Sequence, residues 1–273
     1  MPTVPNHIKW LKDQKNSLKT ASNRPVKVFD LLPDYIDTAT FSAWAKHFRQ
    51  HYCADNEIDI LRNGTGYSRA EYLKMLKFPE QSAGLGPGIR SGDFAEVLLA
   101  DFIEFILNHW VPRTRYADKT VRNESTKGSD VIGFKIIDPS KESRDDVLSM
   151  FEVKAQLSKT ASSARLQDAI DDSGKDELRL AESLNAIKQR LLARQQTADI
   201  DKVARYQNMA DHPYTLQYGA AAVIDSTVLT PTIITEATTK GHPDGNNIVL
   251  MIIIIDDAMK LVHQLYKIAA DEA

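Results

Sequence analysis

The sequence predicts an α/β protein with one central mixed sheet flanked by helices. Three observations predict it. Helix-period and strand-like segments alternate in the order helix, strand, strand, helices, strand, strand, helix. The segment 248–255 is apolar on both faces and rich in β-branched residues, as a strand in the middle of a sheet should be. The segment 93–110 is apolar over most of its circumference, as a largely buried helix should be.

The bulk properties narrow the class. The chain has 273 residues, of which 42% are apolar and 26% charged, a composition typical of a folded globular protein. The single cysteine, Cys53, excludes an intramolecular disulfide and a multi-cysteine metal site, and fits a reducing compartment. The N-terminal residues lack the apolar run of a signal peptide. The longest apolar run, 248–255, is far short of the roughly 20 residues that span a bilayer. A cytoplasmic location with no membrane association is expected. The net charge of −3 is not the footprint of a dedicated nucleic-acid binder, so any DNA affinity must be local or supplied by a partner.

Taken in order, a short helix is expected around Ile8, a short strand over 26–32 and a helix over 37–52, where Phe41, Trp44, Ala45 and Phe48 keep helical spacing. A second helix is expected over 67–76, with Ser68 and Glu71 spaced as a capping box. Residues 79–92 read as a Gly/Pro/Ser loop, followed by the helix 93–110 capped by Ser91 or Asp93. Glu96 then falls in the first helical turn, where the helix dipole favours a carboxylate. Residues 113–127 form a basic window containing Arg113, Arg115, Lys119, Arg122 and Lys127. Two strands follow, 130–138 and 150–154. Helices are expected over 163–208, broken at Gly174, with Leu178, Leu184, Ile187 and Leu191 in helical register. The basic residues Lys188, Arg190, Arg194 and Lys202 among them fit a solvated face or a partner surface. A buried strand over 215–225, a turn over 242–247, the strand 248–255 and an amphipathic helix over 257–270 complete the chain. Residues 1–80 are expected as a mainly helical region and a candidate for partner docking. Residues 81–273 form the core, with a helical insertion around 163–209.

The chemistry concentrates between Asp130 and Lys154. Strand residues two apart share a face, so Glu152 and Lys154 project together while Phe151 and Val153 face a core. Asp130 opens the neighbouring strand, and Glu96 adds a third carboxylate from the helix before it. Hard oxygen ligands of this kind suit Mg²⁺ or Mn²⁺ beside a phosphate. Glu96, Asp130 and Glu152 are the candidate metal ligands. Lys154 would position or help deprotonate a water, or stabilise charge on phosphorus. Arg90, Arg113, Arg115 and Gln156 are candidate substrate contacts. The histidines show no metal-ligand spacing with carboxylates, Ser129 has no evident base, and Gly84-Leu-Gly-Pro-Gly88 lacks the lysine of a phosphate-binding loop.

This order and spacing resembles the PD-(D/E)xK phosphodiesterase superfamily, with Ser129 where a proline is usually written. A closer likeness lies in Phe41-Ser-Ala-Trp-Ala-Lys-His-Phe-Arg-Gln-His-Tyr52, Lys77-Phe-Pro79, Gly86-Pro-Gly-Ile-Arg-Ser-Gly-Asp-Phe-Ala-Glu96, Trp110-Val-Pro-Arg-Thr-Arg-Tyr116, Gly128-Ser-Asp-Val-Ile-Gly-Phe134 and Phe151-Glu-Val-Lys-Ala155. Together these resemble the nuclease subunit of the Hachiman anti-phage defence system, over roughly residues 40–210. Ala95 stands where that pattern has glycine. The resemblance implies a restriction-endonuclease-like core and a metal-dependent DNA nuclease. It also implies a superfamily 2 helicase partner that restrains the nuclease and releases it on aberrant DNA. The catalytic residues it implies are Asp130, Glu152 and Lys154, with Glu96 matching by position. Two other readings stay open at the level of sequence. One is a non-catalytic subunit that binds only DNA or the helicase. The other is a Mg²⁺-dependent phosphodiesterase acting on a small nucleotide.

Overall fold

The computed structural model describes residues 3–16, 18–126, 128–159, 163–175 and 179–273. Six strands form one sheet: β1 (Leu11–Asp13), β2 (Val26–Leu31), β3 (Val131–Lys135), β4 (Val147–Gln156), β5 (Thr215–Asp225) and β6 (Val249–Ile255). Their spatial order is β1-β2-β6-β5-β4-β3. The inner strands β2, β6, β5 and β4 run parallel, and β1 and β3 close the two edges antiparallel. The α/β class and the mixed sheet are therefore as expected. The residue-80 boundary does not separate the sheet, because β1 and β2 from the N-terminal region pair beside β6.

Helices α1 (Thr38–Gln50), α4 (Gly86–Phe105) and α9 (Ala258–Asp271) cover one face, with α2 (Ile58–Leu61) and α3 (Arg69–Tyr72) beside them. Helices α5 (Arg165–Ser173), α6 (Leu180–Ala193) and α7 (Thr197–Ala204) cover the other, with α8 (Thr232–Thr235) nearby. Strand alternation separates the two cores. Phe151, Val153, Ala221, Val223, Met251 and Ile253 face the first layer, and Leu148, Met150, Ala220, Ala222, Leu250 and Ile252 face the second. Trp44, Phe48, Phe94 and Tyr266 are almost fully buried in the first core. Burial of such side chains stabilises by about 1.5–3 kcal/mol each.

The local signals hold at several ends. Asp37 caps α1 by accepting from the Thr40 amide, and Ser68 and Glu71 form the capping box of α3. After Tyr72 the helix widens into a π-helical turn, Leu73–Lys77. Gly174 ends α5. The helix α4 starts at Gly86, well before the expected residue 93, because Pro87 occupies its first turn, where its fixed φ and missing amide hydrogen cost nothing. Glu96 therefore lies mid-helix, and the dipole argument for it falls away. Lys127 and Leu178 lie outside the described residues.

One close approach shapes the centre of the sheet. A Cβ on Gly219 of β5 would come within 2.2 Å of the Phe151 ring on β4. Glycine leaves that ring room to lie across β5, so Phe151 seats β4 on one face while Glu152 and Lys154 project from the other.

Candidate functional site

The site lies at the sheet edge, where β3 stops and β4 runs on. The antiparallel register pairs Val131 with Phe151, so one step further Asp130 stands opposite Glu152. The Asp130 side chain takes over where the ladder ends: its Oδ2 accepts from the Val153 amide at 3.1 Å. Helices of both layers reach past this edge. Between them is a cavity of about 760 Å³ lined by Glu96, Asp130, Glu152, Lys154, Asp172 and Arg115, among others.

The four expected catalytic residues thus share one cleft. Glu152 is 5% exposed, and its Oε2 lies 3.5 Å from the Lys154 ammonium. Lys154 pairs more closely with Asp172 of α5, at 2.6 Å. Burial disfavours the Lys154 charge, but the Asp172 hydrogen bond and the charges of Glu152 and Asp130 outweigh it and raise its pKa. Lys154 is therefore an ammonium at neutral pH, a donor rather than a base. Glu96 approaches from α4. Burial pushes its carboxyl up to about 8, against the pull of the Arg115 guanidinium and with Asp130 and Asp93 adding to the rise.

Arg115 ties the carboxylates together. Its Nε lies 2.8 Å from Glu96 Oε2, and its Nη2 donates to Asp130 Oδ1 at 3.0 Å. Further bonds go to the carbonyl oxygens of Thr126 at 3.1 Å, Gly128 at 3.3 Å and Ser129. Tyr116 donates to Glu96 from the next position. Arg115, expected to contact substrate, is thus bonded to the site's own acids.

The other expected substrate contacts are placed differently. Arg90 is buried, donates twice to the Pro79 carbonyl at 2.8 and 3.2 Å, and stacks over the Tyr266 ring 4.1 Å away. It braces the start of α4 and does not line the cleft. Gln156 shares the face of Glu152 and Lys154, but its Oε1 accepts from Ser163 at 2.9 Å and Arg165 at 3.3 Å, so it anchors the chain entering α5. Arg113 borders the cleft, yet its guanidinium is committed elsewhere. It reaches Asp101 at 2.7 Å, Glu104 at 2.5 Å and His51 Nε2 at 2.8 Å.

That commitment reveals a cluster the sequence reading missed. Asp101 is fully buried and receives His7 at 2.9 Å and His47 at 2.8 Å. Burial opposes its ionisation, but His47 and Arg113 outweigh this and hold its carboxyl well below the usual range. His51 is pushed well below its usual pKa by burial and by the charge of Arg113. Candidate ligand atoms of His47, His51 and Asp101 lie within 4.8 Å of one another, but the Arg113 guanidinium contacts all three. The cluster is a neutralised ion network rather than a cation site. One signal was available: His47 and His51 are four apart, so they share a face of α1. Asp172 was also missed, because only the packing of α5 on β4 brings it to Lys154.

The oxygen donors here are of the kind a hard divalent cation takes, although among the described residues the ligand atoms that lie within 4.8 Å of one another belong to His47, His51 and Asp101 and not to these three. Asp130 and Glu152 face each other across adjacent strands, Glu96 faces the same cavity, and each offers carboxylate oxygen. The Arg115 guanidinium lies against two of these acids, so the fold already places a positive charge between them.

Fold and cleft together define the class: an α/β protein whose mixed sheet carries a carboxylate–lysine cleft at its antiparallel edge. Within that class, the chain belongs to the HamA family, whose model matches residues 5–269. The resemblance drawn from the sequence is thus borne out at the level of family, over a longer stretch than residues 40–210. No curated protein matches the chain. Among the described residues, no helix is long and apolar enough to cross a membrane.

Proposed function

We propose that this protein is a metal-dependent DNA nuclease with a restriction-endonuclease-like core. In this reading it hydrolyses phosphodiesters as the effector of an anti-phage defence complex, restrained and activated by a superfamily 2 helicase partner. The observation that carries the reading is the placement of Asp130, one residue before β3, beside Glu152 and Lys154 of β4, with one cleft in front of all three. Membership of the HamA family supports the defence role.

Asp130 and Glu152, with Glu96 behind them, would hold Mg²⁺ or Mn²⁺. The cation would supply Lewis acidity toward the scissile phosphate. The remaining work falls to the chain. Lys154 donates from a charged ammonium to a non-bridging phosphate oxygen and offsets the charge that builds there. Asp172 fixes the position of that ammonium at 2.6 Å and, with Glu152 and Asp130, favours its charge. The Val153 amide orients Asp130 through Oδ2. Lys175 and Arg190, which line the same cleft and pair with Asp172 and Asp118, offer phosphate contacts along it.

The test is plasmid cleavage with Mg²⁺ by wild type, Glu152→Ala and Lys154→Ala, each with and without the helicase. The substitutions should lower the rate at least about 100-fold, as removal of an electrostatic stabiliser does. Proteins equally inert in every combination overturn the nuclease reading. Undiminished cleavage by both variants moves the site elsewhere.

A further inference from the structure

We infer that Arg115 is a built-in occupant of the divalent-cation position, so that the cation is taken up only as the guanidinium withdraws. This rests on the nuclease reading and adds regulation to it.

The first ground is position. Arg115 contacts Glu96 at 2.8 Å and Asp130 at 3.0 Å, and the charge of Glu152 also acts on it. Two of the three acids that would ligate a cation thus lie against one side chain. Both Asp130 oxygens are engaged, Oδ1 by Arg115 and Oδ2 by the Val153 amide. A guanidinium and a divalent cation therefore draw on the same oxygen atoms, and their positive charges exclude each other at this range.

The second ground is that Arg115 is held by groups that can give way. Its neutral partners, the carbonyls of Thr126, Gly128 and Ser129, belong to the irregular chain between α4 and β3. Thr126, Gly128 and Ser129 lie outside the named helices and strands, so their carbonyls are held less rigidly than those of a ladder. Arg113 and Tyr116, on either side, are tied to α4 through Asp101, Glu104 and Glu96, so the backbone stays in place while the Arg115 side chain swings.

The third ground is a destination. Arg115 and Arg190 line the same cavity, close enough that the charge of Arg115 disfavours that of Arg190. Two like charges facing one cleft suit an anion between them. A substrate phosphate entering there gives the Arg115 guanidinium a bidentate partner. The exchange then runs as one event: Arg115 moves from carboxylate to phosphate, and the carboxylates are freed for the cation. Cation uptake and substrate binding thereby favour each other. Without substrate Asp130 stays paired with a residue of the chain.

The experiment measures Mn²⁺ binding by electron paramagnetic resonance on the full chain without DNA. The proteins are wild type, Arg115→Gln, Arg115→Lys, and Asp130→Asn alone and combined with Arg115→Gln. Arg115→Gln should bind Mn²⁺ at least about tenfold more tightly than wild type, within the usual range of coupling between sites. Arg115→Lys should lie between them, because an ammonium cannot bridge two carboxylates as a planar fork does. It also keeps the test decisive if Arg115→Gln does not fold. Asp130→Asn should abolish the gain. The melting temperature of Arg115→Gln should rise with Mn²⁺ more steeply than that of wild type. Equal or weaker Mn²⁺ binding by both folded Arg115 variants overturns this inference and leaves the nuclease reading standing. Tighter binding that survives Asp130→Asn, or no binding by any protein, overturns both.

Discussion

Asp172 of α5 holds the Lys154 ammonium at 2.6 Å, nearer than Glu152 on the same strand at 3.5 Å. The lysine is thus positioned by a helix of one layer while the acids beside it are set by the sheet edge. Its raised pKa depends on that helix. Asp172→Asn removes the charged hydrogen bond that keeps Lys154 protonated, so the basic limb of the cleavage pH profile should move to lower pH. The rate near neutrality should change less than about tenfold, because Glu152 and Asp130 still favour the ammonium. A basic limb that stays in place would assign it to another group.

Glu96 makes stability depend on pH. Its carboxyl titrates near 4.5 when unfolded and near 8 in the folded protein, so folding keeps the proton longer. Where the folded state binds more protons, stability falls as pH rises. The Glu96 contribution is full below about pH 4.5 and is lost through about pH 8. Glu96→Gln, which cannot ionise, should lack this loss. Urea denaturation of both proteins between pH 5 and 9, with chelator present, checks it: the difference between them should tilt toward the variant as pH rises. A flat difference would show Glu96 ionised throughout.

Arg113 is predicted to matter for stability and not for DNA. It is the cation that neutralises buried Asp101. Arg113→Ala leaves that carboxylate with only histidine partners and should destabilise by about 3–5 kcal/mol, as loss of one member of a buried pair does. DNA affinity of the protein that remains folded should stay within about twofold of wild type in a salt titration, with the same slope. A slope reduced by about one would make Arg113 a phosphate contact after all.

Gly219→Ala probes the seat of the site. Its Cβ would meet the Phe151 ring at 2.2 Å, so ring and strand must shift. Overpacking of this kind costs about 1–3 kcal/mol. Phe151→Leu, which shortens the opposing side chain, should recover part of that loss in the double variant. Denaturation midpoints of the two single variants and the double variant decide it, and strictly additive losses would argue against the contact.

The readability of the site followed the range of its interactions. Asp130, Glu152 and Lys154 could be placed together from the period of a strand and the spacing of two neighbours. The segments 215–225 and 248–255 were visible for the same reason, since burial on both faces leaves an unbroken apolar run. Glu96 was found, but with the wrong helical context, because Pro87 and Gly88 read as loop when they lie in the first turn of α4. Arg115 stood in a visibly basic window, yet nothing local distinguishes an arginine facing solvent from one set against Glu96 and Asp130. Asp172, Arg190 and the Asp101 network depend on packing between elements far apart in sequence, which periodicity cannot encode. The N-terminal strands were likewise hard to assign to the core sheet, since their partner lies near the other end of the chain.

That last pairing carries a consequence for how the protein is made. Strand β2 lies against β6, with Val26 opposite Leu250, so β2 joins the sheet only once a strand far along the chain has been made. Contacts this distant in sequence form late, after the loop between them has been closed. The middle of the sheet, and the α9 layer packed against it, assemble only after β6 and α9 have been made. Every nascent chain that stops short lacks the strand joining β2 to β5. The proposed activity thus depends on a strand and a helix that come after every residue lining the cleft.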